Sequence, residues 1–498
     1  MNNDQPVQIV RNSTLSVLQA LVNIFVLFFL YRYLISKLGE NLVGVWSLTT
    51  AATSMFSVAQ FGFTRSLVKY VAKYKAKDDF TSISNLIQTV FISLAIIIGV
   101  VCLIAYPVLY YLLDFIIKGK EILVARDILV WVIIMFFIRN IAAIFQSSLD
   151  GLQRMDIRGI IVISSVIVFF VSTIIMVPEY GIKGVLFAQL LQYVVVFVVS
   201  VICIKLKYKD INLFPRKWKR ELFSEAYLYG IKFQFISVCQ VLTDPITKAF
   251  LSRFGGLNLV TYYEMAYKMS AHARLLVVFA NGAIVPAVAE YIEKTPELIK
   301  RIYKRSNDII FLFSFSVFPL IVLSSPIISK LWIGEINNYF VLFAAILAGS
   351  VLFSTISMPA FQVNMGTGNL KANVVSNIVL AVTNLVLGSS LGFYFGGIGV
   401  VAGFAFATAL SGITVLWIYF KENSLNIRDL ISIENSRFFY ITQSLFVILT
   451  VILIFLSSFN LFLVINALAV VAYIVILIIV FWQNSYKNYL FEKIVKNG

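Results

Sequence analysis

Charged side chains inside long apolar segments are the residues of this chain best suited to chemistry. Asp244 and Lys248 are four positions apart, and so are Glu264 and Lys268, so each pair shares one face of a helix. A charge inside a membrane is costly and usually faces a polar interior or a watery cavity. The two pairs therefore predict a polar path through apolar surroundings.

Cations outnumber the anions in this set once Arg65 and Arg274 are added. An anionic head group suits such residues, because Lys and Arg bind phosphate oxygens through charge-assisted hydrogen bonds. The predicted substrate-binding cations are Arg65, Lys248, Lys268 and Arg274. The candidates for ion coupling are Asp244, Glu264 and His272. The predicted polar lining consists of Asn12, Ser16, Gln19, Asn23, Ser47, Ser54 and Gln240.

A structural interpretation of the same residues stays open. Arg65 is also typical of a side chain that snorkels to the membrane interface at the start of a basic loop. The two i,i+4 pairs are also typical of ion pairs that stabilise a helix. His272 is also typical of an interior histidine whose hydrogen bonds are satisfied. Pro245, directly after Asp244, predicts a loosened or bent helix at that point.

Composition places these charges in a membrane protein. Of the 498 residues, 60% are hydrophobic and 13% are charged, about half the charged share of a soluble domain. The apolar residues form runs of about 20, the length that crosses a hydrocarbon core as a helix. The single histidine and the spacing of the three cysteines predict no metal site, and we expect no cofactor and no catalytic residue.

Fourteen such runs predict an all-α integral membrane protein. The predicted spans are 12–34, 43–64, 83–108, 122–146, 158–178, 182–204, 224–250, 262–288, 308–327, 338–360, 370–391, 397–420, 438–457 and 460–482. With the N-terminus in the cytoplasm, the termini and cytoplasmic loops hold 27 of the 40 Lys and Arg. This bias predicts that both termini are cytoplasmic. The basic loops are expected to meet anionic membrane lipid, and no nucleic-acid partner is predicted.

The chain repeats itself at an offset of about 216 residues. Residues 36–39 match residues 252–255, ending at Gly39 and Gly255. Further matches pair Phe145-Gln146 with Phe361-Gln362, and Gly181 and Gly184 with Gly396 and Gly399. Each unit holds six spans, so the repeat predicts two parallel six-helix bundles with a substrate path between them.

The repeat predicts the domain organisation. We expect a first six-helix bundle, a basic cytoplasmic linker, a second six-helix bundle, and two extra C-terminal helices with a tail. Their predicted ranges are 1–204, 205–223, 224–420 and 438–498. The predicted polar and charged residues lie on the opening helices of each half, where they would line a cationic central cleft.

Two six-helix halves plus two helices, with Leu38-Gly39 followed by Gly44, resemble the polysaccharide-export branch of the multidrug/oligosaccharidyl-lipid/polysaccharide (MOP) exporter superfamily. The turn at 151–154 and the Gly-Ile turns at 181–184 and 397–399 are similar to that branch too. Wzx-type O-antigen and capsule flippases are the members that the chain resembles most. Such flippases carry arginines on the first helix, whereas this chain has Asn, Ser and Gln there.

The resemblance implies a flippase and not an enzyme. It would translocate undecaprenyl-diphosphate-linked oligosaccharide repeat units from the cytoplasmic to the periplasmic leaflet of a bacterial inner membrane, by alternating access. The implied partners are that lipid-linked oligosaccharide, membrane lipid and polysaccharide polymerase machinery, and the implied state is a monomer. The resemblance assigns the diphosphate to the four predicted cations.

Two other functions compete with this interpretation. A multidrug or cation antiporter of the same superfamily usually has twelve spans and an acidic cleft, which fits the extra helices and the basic cleft poorly. A membrane polysaccharide polymerase tends to need a sizeable outer loop with catalytic residues, and the predicted outer loops are short.

Overall fold

The computed structural model describes residues 4–279, 296–425, 433–456 and 461–483. Within these ranges, the side chains of residues 4–17, 20, 231–237, 239–240, 276–279, 296–298, 433–435 and 483 are left out of the description. The described residues contain fifteen α-helices, one 3-10 helix and no strand, which confirms the predicted all-α membrane fold.

The helices follow one another with short connections. The first nine are α1 (Asp4–Leu38), α2 (Glu40–Ser54), α3 (Phe63–Lys75), α4 (Phe80–Ile116), α5 (Glu121–Gly151), α6 (Met155–Tyr180), α7 (Ile182–Lys207), α8 (Arg220–Gly255) and α9 (Leu257–Phe279). The 3-10 helix Met55–Gln60 follows α2 directly. The remaining six are α10 (Pro296–Ile333), α11 (Asn338–Ile356), α12 (Met358–Thr367), α13 (Lys371–Glu422), α14 (Ile433–Phe455) and α15 (Phe462–Gln483).

Eleven segments of the described residues are long and apolar enough to cross a membrane, so the predicted count of fourteen is not confirmed. One difference arises because α13 contains two predicted spans joined at Gly396. The other two differences are the predicted spans on α8 and α9, where charged side chains lower the mean hydropathy of each helix. The second of these was predicted to extend to residue 288, beyond the described residues.

The chain divides into two compact units, Met1–Thr261 and Tyr262–Gly498. In the first unit α7 packs against α5 and α6, and α4 against α5. In the second unit α10 packs against α11, α14 and α15, and α11 against α13. Since lipid tails are as apolar as the buried side chains, close packing rather than exclusion of water holds these helices together.

The place of α8 bears on the predicted domains. This helix opens the predicted second bundle, yet it packs against α2, α3 and α4 inside the first unit, and it continues through Pro245 to Gly255. The predicted bundle ranges 1–204 and 224–420 describe the repeat rather than these contacts, and they stay predictions.

The basic linker is bound along α4 by polar side chains. Gln88 donates to the carbonyl of Asn212 (2.8 Å) and accepts from the amides of Arg216 (3.2 Å) and Lys217 (3.0 Å). The indole of Trp218 donates to the hydroxyl of Ser93 at 3.0 Å. A polar stripe on an apolar helix therefore satisfies the backbone of a loop that has no secondary structure of its own.

The two Gly-Ile turns have the same backbone conformation. Gly181 joins α6 to α7 with φ 56° and ψ −133°, and Gly396 interrupts α13 with φ 62° and ψ −146°. Glycine is essentially alone in adopting this region. Equal bends at equivalent positions support the internal repeat.

The first junction of each half shows a second matching bend. Gly39 between α1 and α2 has φ 79° and ψ 165°, and Gly256 between α8 and α9 has φ 91° and ψ 167°. The sequence match paired Gly39 with Gly255, and that pairing is wrong by one residue. Gly255 is still helical, so the one-residue insertion lies before the bend.

Candidate transport site

The predicted second span is broken. The helix α2 ends at Ser54, a 3-10 helix follows, and Phe61 and Gly62 then have φ values of 46° and 67° before α3 begins. Ser47 and Ser54 of the predicted lining and the predicted cation Arg65 therefore lie on two separate helices, α2 and α3. Arg65 is an exposed residue of α3.

Close contact with α8 fixes this break. A Cβ on Gly62 would collide with the backbone of Gly230, and a Cβ on Gly230 would collide with the carbonyl of Phe61. Both glycines are needed for this approach, since any larger residue would separate the two segments. Transporters often interrupt a spanning helix where its backbone lines a binding site.

The first predicted charge pair forms an ion pair on α8. Lys248 Nζ lies 2.8 Å from Asp244 Oδ2, with the lysine side chain 5% and the aspartate 32% exposed. The carboxylate is therefore the accessible partner, and the ammonium is enclosed by protein.

The second pair, on α9, has the opposite arrangement. Lys268 Nζ lies 2.8 Å from Glu264 Oε1, with the lysine side chain 33% and the glutamate 8% exposed. Here the ammonium is accessible, and a buried carboxylate holds it from one side.

His272 and Arg274 continue α9 by one further turn. Both are half-buried, and Arg274 Nη2 lies 3.6 Å from Met358 Sδ at the start of α12. His272 Nδ1 is buried and makes no hydrogen bond to the residues that the structure describes. Thioether sulphur is a weak acceptor, so the arginine retains donors for another group.

The predicted polar lining is partly described. Ser47 is 2% exposed, and its hydroxyl has no hydrogen-bond partner among the described residues. Ser54 donates to a backbone carbonyl of its own helix at 2.6 Å. Gln19 and Asn23 are half-buried on α1. The remaining lining side chains lie outside the described part of the chain: Asn12, Ser16 and Gln240.

The structure brings together polar residues that sequence reasoning missed. The Gln60 amide donates to Asn140 Oδ1 on α5, and the Trp46 indole donates to Gln189 Oε1 on α7 at 3.0 Å. These two bonds tie the broken second span to its neighbours. Amides in the middle of apolar runs were the signal that could have identified them, because such groups need partners in a membrane.

The turn at 151–154, part of the family resemblance, is held by charges outside the spans. Lys75 Nζ donates to the carbonyl of Leu152 at 2.7 Å, and Arg154 pairs with the buried Asp156 at 2.7 Å. Burial, and then the nearby Arg154, lower the pKa of Lys75. The turn therefore connects α3 to the α5–α6 junction.

These features define a class, the multi-pass α-helical membrane proteins that are built from an internal repeat and carry paired charges within their helices, as transporters do. Residues 9–292 match the family of polysaccharide biosynthesis proteins, and the chain belongs to that family.

Relatives and solved structures agree with this assignment. An uncharacterized membrane protein of Methanocaldococcus jannaschii is 23% identical over 410 residues, which is 78% of each chain. An inward-facing multidrug resistance MATE family transporter of the MOP superfamily has a TM-score of 0.73 at 16% identity, covering 81% of this chain and 98% of that one. The lipid II flippase MurJ, in an inward closed conformation, has a TM-score of 0.71 at 14% identity and covers 95% and 100%.

A further similar structure is a MOP superfamily transporter from Pyrococcus furiosus with a binding pocket of reversed polarity. Its TM-score is 0.62 at 16% identity, with 84% of this chain and 96% of that one covered. At these identities the likeness shows the fold, which is that of the MOP superfamily. With the family match, it confirms the resemblance to the polysaccharide-export branch. These neighbours are transporters and flippases.

Proposed function

We propose that this protein flips a lipid-linked, diphosphate-bearing sugar across the inner membrane of a bacterium. The cargo would be an undecaprenyl-diphosphate-linked oligosaccharide, moved from the cytoplasmic to the outer leaflet by alternating access. Membership of the polysaccharide biosynthesis family supports the sugar, and a fold shared with a lipid II flippase supports the lipid carrier. Cytoplasmic termini belong to the same proposal.

The accessible ammonium of Lys268 is the observation that carries the proposal. Its position beside the buried Glu264 fixes the cation, while its exposed side can donate to phosphate oxygens. Arg274 lies less than two turns further along α9 and adds a second cation. Because Glu264 competes for the ammonium, a bound phosphate can leave again, as a transport cycle requires.

The other predicted cations take different roles in this proposal. Arg65 is exposed on α3 and would remain a contact of the head group. Lys248 is enclosed by protein, so it would orient Asp244 rather than touch the cargo. The half-exposed Asp244 and the buried Nδ1 of His272 remain the candidates for ion coupling.

An apolar groove in the second unit supports a lipid cargo. It has a volume of about 600 Å³ and lies between α10, α11 and the two C-terminal helices. Its walls include Leu323, Pro326, Leu342, Leu453 and Phe462. A surface of this kind suits an isoprenoid chain, which would bind by close packing against these side chains while it stays in the apolar layer.

The function can be tested in cells from which the gene is deleted. We expect lipid-linked repeat units to accumulate on the cytoplasmic leaflet, and wild-type protein to restore surface polymer. Lys268→Ala should insert normally and fail to restore it. The matched control is Lys183→Ala, which removes a half-buried lysine that pairs with Asp127 at 2.8 Å outside the site. Normal polymer from both Lys268→Ala and Arg274→Ala would contradict the assignment.

The second candidate function is a cation or multidrug antiporter, favoured by the accessible carboxylate of Asp244. The same deletion strain separates the two functions. Sensitivity to cationic drugs with normal surface polymer would favour the antiporter, whereas polymer loss with unchanged drug resistance favours the flippase.

A further inference from the structure

A polar cavity lies in the first unit where three helix junctions meet. It has a volume of about 470 Å³ and is bordered by the connections α1–α2, α4–α5 and α8–α9, on the side of the membrane that α1 reaches with its C-terminal end. This size falls in the range of small-molecule sites, about 300–1,000 Å³. The substrate-binding cations of the proposed function are not among its lining residues.

Two exposed cations, Lys118 and Arg253, line this cavity. Neither forms a salt bridge within the part of the chain that the structure describes. By contrast, Arg126 and Lys183 each pair with an aspartate, at 2.6 Å and 2.8 Å. Two cations that share a cavity without a carboxylate partner can both donate to one anion.

Other residues of the lining carry groups that suit hydroxyls. Asn41 Nδ2 donates to Glu121 Oε1 at 3.2 Å, which leaves the second carboxylate oxygen free to accept from another donor. Asn258 adds an amide, and the first N–H groups of α9, at Leu257 and Asn258, add donors at a helix start. A bare phosphate ion would meet repulsion from Glu121, whereas a phosphate ester with hydroxyls would use both the cations and the groups that suit hydroxyls.

We propose that this cavity binds a phosphate ester that carries hydroxyl groups, with its phosphate at Lys118 and Arg253 and its hydroxyls at Glu121 and Asn258. Two sources have this chemistry. One is the glycosyl diphosphate head of the transported lipid, which rests on the proposed function, and the other is phosphatidylglycerol of the membrane itself.

Binding to the purified full-length protein tests the site. Equilibrium dialysis with radiolabelled glucose 1-phosphate should show tighter binding than inorganic phosphate. Lys118→Ala/Arg253→Ala should weaken glucose 1-phosphate binding by about tenfold or more, since it removes both cations that would donate to the phosphate. Glu121→Gln should abolish the preference over inorganic phosphate. The matched control, Arg32→Ala/Lys37→Ala, removes two exposed cations of the same side outside the cavity and should leave the affinity unchanged.

Native mass spectrometry with phosphatidylglycerol identifies which of the two phosphate esters binds in the cavity. Lipid that is retained by wild type, lost from the Lys118→Ala/Arg253→Ala variant and not displaced by glucose 1-phosphate would support the site with membrane lipid as its ligand. Displacement by glucose 1-phosphate would support the sugar head group. Equal affinity of wild type and the double variant for both probes would overturn the site.

The site and the proposed function can fail separately, because binding is measured without transport. Loss of binding in the double variant, together with no lipid-linked sugar transport by wild type, would leave the cavity assigned and the proposed function refuted. Transport by wild type with equal binding in both proteins would refute the cavity alone.

Discussion

At the residue scale, burial decides which partner of each ion pair can meet a ligand. The lysine of one pair and the glutamate of the other are enclosed, so one pair presents a carboxylate and the other an ammonium. An enclosed charge is tolerated only with a close partner, because removing that partner leaves an uncompensated charge. The enclosed member therefore fixes the accessible one in position.

Variants of the ion pair on α9 distinguish a loss of stability from a loss of transport. Lys268→Ala removes the cation 2.8 Å from the enclosed Glu264 and should cost about 1–2 kcal/mol, less than a fully buried pair because the lysine is one third exposed. Glu264→Gln/Lys268→Met removes both charges and should regain most of that stability. Thermal unfolding in detergent checks both values.

Transport should be lost in both variants, since neither keeps an accessible ammonium. A double variant that is as unstable as Lys268→Ala, or one that transports at the wild-type rate, would contradict the role assigned to this pair.

Sequence reasoning predicted the ion pairs because an i,i+4 spacing is local information. It could not predict their opposite exposure, which depends on neighbours from distant parts of the chain. The broken second span also escaped prediction, since consecutive positive φ values at Phe61 and Gly62 follow from the contact with Gly230. Arg65 therefore lies on a different helix from Ser47 and Ser54.

At the element scale, α2 crosses the start of α9 in a symmetric contact. A Cβ on Gly44 would collide with the carbonyl of Leu257, and the hydroxyl of Thr261 donates to the carbonyl of Glu40 at 2.7 Å. With the repeat aligned at Gly39 and Gly256, Gly44 is equivalent to Thr261 and Glu40 to Leu257. The two halves of the repeat thus meet at the same position of each helix.

Gly44 is needed for this close approach. Gly44→Ala should destabilise the protein by about 1–3 kcal/mol, because the added methyl group forces the two backbones apart. The matched control is Gly349→Ala on α11, where a Cβ meets nothing within 4 Å. It should be neutral or slightly stabilising, since Ala is the better helix former. Equal losses of thermal stability in the two variants would contradict the crossing.

The linker on α4 offers a second test at this scale. Gln88→Ala removes three hydrogen bonds to the linker and should make its basic residues, such as Lys217, several-fold more sensitive to trypsin. Cleavage sites are identified by mass spectrometry. The control Gln192→Ala removes a long 3.5 Å bond from α7 to α6, the one side-chain hydrogen bond of Gln192 to the residues that the structure describes. An unchanged cleavage rate for Gln88→Ala would show that these bonds do not hold the linker.

At the scale of the whole molecule, the distribution of basic residues predicts orientation. In a chain lacking Cys102, Cys203 and Cys239, a cysteine at Lys77 should react with a membrane-impermeant maleimide only from the cytoplasmic side. A cysteine at Lys120 should react only from the outside. Labelling in the reverse sense would contradict the predicted cytoplasmic termini, and labelling of both positions from one side would contradict the intervening span α4.

The fold class, the repeat and the helix ends at glycines were predictable because apolar runs and turn residues act locally. The fourteen-span count is not confirmed at α8 and α9, because charged side chains lower the mean hydropathy of these two helices. The same charged residues belong to the candidate site. The prediction of membrane spans is therefore weakest at the residues that are proposed to bind the cargo.

Translocation by the purified protein tests the proposed flippase most directly. Proteoliposomes would carry a fluorescent undecaprenyl-diphosphate oligosaccharide, and a reagent added outside would report its appearance in the outer leaflet. We expect wild type and Lys183→Ala to move the lipid, and Lys268→Ala to match empty liposomes. Transport of a cationic dye with no movement of the lipid-linked sugar would contradict the proposed function.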